Sequence, residues 1–363
     1  VIKEWNLLRV IACLSIVLLH STTTTAFYAG HPEIPYYQLV RILLCYATPT
    51  FIILSEIILA HRYPQTLPQG FWLKRLKWIY TPFLFFGVVD AMIAYDKYVY
   101  TWDQLQQKLA YNLLFGHFEG YFVLIMFQFY VLHYVVTKYK MSMKVLLPIS
   151  FVLMMVYQYV YHYAQIPFIL ENKAFFKMPF IAWFGYFSIA FLMGKHYPIL
   201  SQKLLKWRWL TLIAVLLSVG IIYLSYVAGD VAVRSLRPDI FPLALSVSLA
   251  VIAWGQRLPN YNIVKLISNY AFGIYLIHWP VQRYLAAYTT QWFPYPMMQV
   301  IGLFFISFIF SMVIIYLLSR LPWGVGSFLI GQVKRDKHSR HLNNNRRCIG
   351  NNRNRQKQVE LSE

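Results

Sequence analysis

Residues 6–28 read NLLRVIACLSIVLLHSTTTTAFY, an apolar run interrupted by two ionisable side chains, Arg9 and His20. Eleven α-helical steps of 1.5 Å cover about 16 Å, roughly half of a bilayer's ~30 Å hydrocarbon core. A helix crossing the membrane here carries Arg9 at one mouth and His20 near or just past the midplane. Ionisable groups at that depth are costly and face the protein interior or a wet cavity rather than lipid. His20 is therefore a candidate functional residue. The other reading of the same imidazole is a packing histidine that hydrogen-bonds a neighbouring helix.

Composition extends this reading to the whole chain. Its 363 residues are 59% hydrophobic, 18% aromatic and only 13% charged, against about 25% charged in soluble domains. A polytopic, all-α membrane bundle is expected, and a soluble domain is excluded. Hydropathy places about ten spans, near 7–27, 37–60, 78–95, 120–137, 145–163, 178–194, 209–228, 238–255, 267–287 and 296–319. Residues 101–114 and 321–331 read as shorter amphipathic helices at the surface. Proline and glycine punctuate connections such as YPQTLPQG at 63–70 and QRLPNYN at 256–262. No internal repeat is evident. The first helix lacks a short apolar core followed by a small-residue cleavage site, so it reads as an anchor. Cys13, Cys45 and Cys348 have no spacing that suggests disulfides or a metal.

Lys and Arg concentrate in cytoplasmic loops. With the N-terminus inside, 25 of them fall at the inner face and eight at the outer. Both termini are then cytoplasmic. The domain reading is a membrane domain over 1–331 followed by a basic, disordered cytoplasmic tail over 332–363. Such a tail is drawn to anionic headgroups, so membrane lipid is an expected partner. Nucleic acid is not, since the tail has no aromatic platform on which bases stack.

Chemistry points to two levels of the bundle. In the late span, His278 lies thirteen residues beyond Lys265, about 20 Å up a helix, and so at a depth similar to His20. Two imidazoles at one level can form a general-base or acyl-accepting pair if their helices touch. At the inner mouth, Arg9, Lys74, Arg75 and Lys77 gather, with Glu56 as the expected partner of Arg9. Arginine's planar fork suits phosphate, so this ring either holds a phosphorylated ligand or reflects ordinary positive-inside topology.

Arg9 and His20 together spell R-x10-H, and residues 267–280 spell ISNYAFGIYLIHWP. In these two motifs and in its topology the chain resembles the acyltransferase 3 family of integral membrane acyltransferases. Weaker echoes are RLKWIYTP at 75–82 and WFGYFSIAFLMG at 183–194. Many members carry Ser-Gly-Phe where this chain has Ser55, Glu56 and Ile57. That departure, with GYFVLIMFQFYVL at 120–132, is closer to the branch of intercellular-adhesion polysaccharide proteins, described either as exporters or as O-acyltransferases.

The resemblance implies an O-acyltransferase of the bacterial plasma membrane. It would move an acetyl or succinyl group from cytoplasmic acyl-CoA, acetyl-CoA or succinyl-CoA, to a hydroxyl of a cell-envelope or biofilm polysaccharide. By the same resemblance Arg9 orients the donor and His20 is the catalytic base or acyl carrier. Arg75 helps hold the donor's phosphates, and Ser268, Tyr275 and His278 have supporting roles at the substrate; Glu56, which departs from the family pattern, is placed on the substrate side by its level at the inner mouth alone. Such chemistry calls for a base and oxyanion donors and for no metal. Other membrane proteins of polysaccharide synthesis are expected partners. Two further readings stand beside this one: an exporter of a poly-N-acetylglucosamine-type polymer, and a non-catalytic member of a synthesis complex.

Overall fold

A computed structural model describes residues 2–333, so the tail assigned to 332–363 lies almost wholly outside the described residues. The backbone groups into one unit over Val1–Gly331 and another over Gln332–Glu363, and the account below concerns the first. Every regular element among the described residues is helical. In chain order they are α1 (Lys3–Ala29), α2 (Tyr37–Leu44), α3 (Ala47–Arg62), α4 (Phe71–Arg75), α5 (Thr81–Tyr98), α6 (Trp102–Phe115) and α7 (Phe122–Lys138). There follow α8 (Met143–Tyr163), α9 (Pro167–Glu171), α10 (Lys173–Phe176), α11 (Phe184–Lys195), α12 (Tyr197–Lys206) and α13 (Arg208–Val227). The last four are α14 (Ile240–Gly255), α15 (Asn262–Trp292), α16 (Pro296–Ser319) and α17 (Val325–Ile330).

Seven helical stretches among the described residues are long and apolar enough to cross a membrane: Lys3–Ala29, Tyr37–Arg62, Phe71–Tyr98, Trp102–Lys138, Met143–Tyr163, Arg208–Val227 and Pro296–Ser319. Phe180–Lys195 and Ile240–Gly255 are apolar but shorter. The remaining expected span, α15, is 31 residues long yet stands outside that apolar set. It carries Lys265, Ser268, Tyr275, His278, Gln282 and Arg283, so its polarity and its chemistry have one origin. The ten expected spans thus correspond to seven long apolar stretches, two short helices and one long polar helix.

Local signals set the ends. Thr101 caps α6 through a capping box with Gln104, which satisfies two otherwise orphaned N–H groups. Proline occupies the first turn of α5, α12 and α16, where its missing N–H costs nothing. The polypeptide reaches α5 from α4 through a π-helical turn over Leu76–Tyr80. Packing is layered by enclosure: α1 lies against α15, and α3 against α11. By contrast α8, α13 and α16 turn Val156, Leu216, Leu217 and Phe305 outward. Large exposed apolar faces on long helices fit a lipid-facing rim.

Candidate active site

Helices α1 and α15 run parallel, and their polar partners climb in step. Ser268 Oγ donates to Asn6 Oδ1 at 2.9 Å and accepts from Arg9 Nη1 at 2.8 Å. One turn on, Cys13 Sγ approaches the Ala271 carbonyl at 3.9 Å. Next, the rings of His20 and His278 stand 5.3 Å apart, tilted by 44°. Gln282 Nε2 then closes the seam on the Val17 carbonyl at 3.0 Å and Ser21 Oγ at 2.8 Å. R-x10-H and ISNYAFGIYLIHWP, about 250 residues apart in the chain, therefore form one column of polar groups in the bundle core.

Each imidazole has one nitrogen committed and one free. His20 Nε2 lies 3.2 Å from Glu119 Oε2. A carboxylate only accepts, so the proton sits on Nε2, and the buried Nδ1, which has no partner among the described residues, carries the lone pair. His278 Nδ1 lies 2.9 Å from the Ile274 carbonyl. That nitrogen donates, which leaves the buried Nε2, likewise without a partner, as an acceptor. Trp279 packs edge-on against His20 at 4.9 Å. Pro280, inside α15, supplies no backbone N–H to the turn below it, so the ladder is interrupted where the histidines sit.

Glu119 was not among the residues singled out from sequence, and its placement is elaborate. Helix α6 ends at Gly116 with φ 57°, a left-handed conformation that glycine adopts without a Cβ clash. A short 3-10 turn, Glu119–Tyr121, follows. A Cβ on Gly120 would stand 2.4 Å from the Phe118 ring, so a larger residue there must displace the ring that folds under the turn. Tyr275 O–H donates to the Glu119 backbone carbonyl, and Lys108 Nζ donates to the His117 carbonyl at 2.7 Å. Lys108 is itself fixed by Asp90 Oδ2 at 3.2 Å. Beside the turn, Lys177 Nζ lies 4.0 Å from the centroid of the Tyr121 ring. Burial pushes the Lys177 ammonium below its ordinary pKa, and the charge of Glu119 partly restores it.

The inner group is arranged differently from the sequence expectation. Glu56 is not the partner of Arg9: its Oε1 meets His133 Nδ1 at 2.8 Å, both side chains fully buried, while His133 Nε2 donates to the Tyr63 carbonyl at 2.9 Å. The physical reason is helix facing. Helix α3 packs α7 through this pair, and Arg9 finds its hydrogen bond on α15. Arg9 has no carboxylate within 4.0 Å among the described residues. Arg75 lies over the rings of Phe71 at 4.8 Å and Tyr130 at 5.3 Å, and Lys77 over Trp78 and Phe328. The structure thus gathers Arg9 with Ser268 and His20 with Tyr275 and His278, and sets Glu56 apart with His133. Cys13 and Cys45 are buried free thiols, and Cys348 lies outside the described residues.

Comparison with known proteins follows this geometry. The family model described as "Acyltransferase domain" (Acyl_transf_3) matches residues 2–320. YfiQ of Bacillus subtilis (strain 168), whose name describes a membrane-bound acyltransferase, is 36% identical over 289 residues, 76% of this chain and 80% of the relative. A protein of Staphylococcus aureus (strain MRSA252), named for export of poly-beta-1,6-N-acetyl-D-glucosamine, is 26% identical over 304 residues, 78% of this chain and 83% of its own length. The protein of the same name from Staphylococcus epidermidis is 24% identical over 306 residues, 78% and 81% of the two chains. No solved structure matches the chain.

Proposed function

This chain belongs to the acyltransferase 3 family and is a multi-pass membrane acyltransferase, and from that premise we propose that it esterifies a hydroxyl of an extracytoplasmic glycan using acyl-CoA from the cytoplasm. The membrane in question is the bacterial plasma membrane, and the group carried is acetyl or succinyl. The observation that carries this reading is the His20–Glu119 pair, which leaves His20 Nδ1 without a partner among the described residues, beside the ring of His278.

The steps follow from the His20 lone pair. An acceptor O–H donates its proton to His20 Nδ1 as its oxygen attacks the thioester carbonyl carbon. Glu119, already bonded at Nε2, stabilises the imidazolium that forms and holds the ring in the tautomer the step needs. Collapse of the tetrahedral intermediate breaks the C–S bond, and the imidazolium returns the proton to the leaving thiolate. His278, its Nδ1 held by the Ile274 carbonyl and its ring 5.3 Å from that of His20, packs beside the base and helps fix its position. Arg9, at the opposite mouth of the column and without a carboxylate, holds the donor's anionic portion, and Arg75 extends that surface. Tyr275 acts at one remove by fixing the Glu119 turn, and Ser268 by fixing Arg9.

The reading is tested in proteoliposomes given acyl-labelled acetyl-CoA or succinyl-CoA on one side and an oligosaccharide on the other. Label in the saccharide, lost with His20→Ala, supports it; label unaffected by that change contradicts it. Export is the second reading, favoured by the names of the staphylococcal relatives. It requires that polymer release fall in His20 variants while the ester per sugar stays constant.

A further inference from the structure

A cavity of about 470 Å³ opens beside the Ala29 end of α1, lined among others by Thr23, Tyr28, Lys97, Tyr98, Trp279 and Arg283. It adjoins the catalytic pair. Trp279 lines it and meets the His20 ring edge-on at 4.9 Å, and Thr24, another lining residue, donates from Oγ1 to the His20 carbonyl at 2.8 Å. The cavity is thus separated from His20 by the Trp279 indole. On the proposed orientation it faces outward.

Its charge is out of balance. Arg283 meets Asp90 Oδ1 at 2.8 Å, but the same carboxylate also takes Lys108 at 3.2 Å and the amide of Asn112 at 3.0 Å. Lys97 has no carboxylate within 4.0 Å among the described residues and lies over the Tyr284 ring at 4.8 Å. Asp96, the next acid along α5, lines a separate groove beyond Tyr284. Behind Thr23, Arg41 is 7% exposed, and its hydrogen bonds go to neutral groups: Thr22, Thr23, Gln38 and His31. Glu119 and Lys177 offset one another. Two cations, Lys97 and Arg283, thus line the cavity with no carboxylate among its lining residues, and the Asp90 carboxylate that meets Arg283 is shared with Lys108. An anionic ligand group would find Lys97 without a counter-charge and Arg283 with only a shared one, an electrostatic match that favours an anion over a neutral group. The rings of Tyr28, Tyr98 and Trp279 supply the flat apolar faces on which sugar rings lie.

We propose that this cavity is the acceptor subsite and that it selects an acidic saccharide, one whose ring bears a carboxylate or phosphate near the hydroxyl to be acylated. This inference rests on the glycan-acyltransferase reading above and adds the charge of the acceptor. It departs from a neutral N-acetylglucosamine polymer.

The test uses the full chain in nanodiscs of neutral lipid, with a uronic acid trisaccharide, its neutral carboxyl-reduced counterpart and inorganic phosphate as probes, binding read by tryptophan fluorescence. The acidic trisaccharide is expected to bind at least about ten-fold more tightly than the neutral one at low salt, with the ratio falling as salt screens the cations. Lys97→Gln, at an exposed position, reduces the ratio about three-fold or more. Arg283→Gln, which leaves Asp90 its lysine, reduces it again. Equal affinity for the two saccharides, or a ratio indifferent to both variants, overturns the proposal. So does inorganic phosphate competing as well as the uronate, which would make the site one for anions alone. Acyl transfer to both saccharides alike would remove this inference and leave the transferase reading standing. Selective binding of the acidic one, with no ester formed from any donor, would do the reverse.

Discussion

His20 works through what its two nitrogens face. One is committed to Glu119 and the other is free, so removal of either partner has a distinct signature. His20→Ala is expected to lower turnover about 10³-fold or more, within the range for positioned general bases. Glu119→Gln keeps a hydrogen-bonding partner but not the charge, and is expected to lower kcat by about 10² while leaving KM for the donor within two- to three-fold, as measured by initial rates in proteoliposomes. Arg9→Gln is expected to show the opposite split, raising donor KM with a smaller loss of kcat. Glu56, by contrast, belongs to structure: Glu56→Ala strands His133 in a dry interior, and breaking a buried pair costs about 3–5 kcal/mol. A lowered thermal midpoint in detergent, with the donor KM of the surviving protein unchanged, is the result to look for. At this scale His20 and His278 were legible because a lone imidazole in an apolar run is conspicuous. Glu119 was not, because an acid just ahead of GYFVL reads as an ordinary loop residue at the mouth of a span. Nor does sequence say that α3 turns Glu56 toward α7, since both possible partners lie on distant segments.

Among the elements, the parallel pair α1 and α15 makes the column, and the turn between α6 and α7 brings the carboxylate to it. Gly120→Ala places a methyl 2.4 Å from the Phe118 ring, so that ring, which lies under the Glu119 turn, must move aside. Transfer activity is expected to fall toward that of Glu119→Gln while the protein still inserts, as membrane fractionation would check. Gly194 serves packing instead: a Cβ there would meet the Ile57 carbonyl at 2.4 Å where α11 crosses α3. Gly194→Leu is expected to destabilise the bundle by about 1–3 kcal/mol, the usual cost of overpacking, seen as a lower melting temperature. Span positions were readable because the bilayer fixes helix length and demands apolar side chains. The exception is instructive. Helix α15 is too polar to join the apolar set, and only its length and motif reveal it, since the groups that lower its hydropathy are those packed against α1.

For the whole molecule, sequence conveyed a helical membrane bundle but not which helices touch, because hydropathy measures contact with lipid and is silent on neighbours. Loop groups outside the spans make the folded state acid-sensitive, His31 and Asp230 among them. His31 is held below its ordinary pKa by burial and by the Arg41 charge. Burial alone would raise the Asp230 carboxyl, but His162, Arg237 and the Ala232 N–H together bring it below the usual carboxylate range. Both pKa values are depressed on folding, so both contributions are present above the unfolded values and are lost as pH falls through the folded ones. Thermal stability is expected to decline first below about pH 6.5 and again below about pH 4, from ordinary histidine and aspartate values, and His31→Gln should reduce the first step without removing it, because His117 is depressed by burial in the same way. The central claim, that this bundle transfers an acyl group through His20, is tested most directly by the ester content of surface glycan. Cells expressing wild type or His20→Ala at matched membrane levels are compared. The account predicts loss of the ester with polymer outside the cell in normal amount. Undiminished ester with less polymer outside would contradict it.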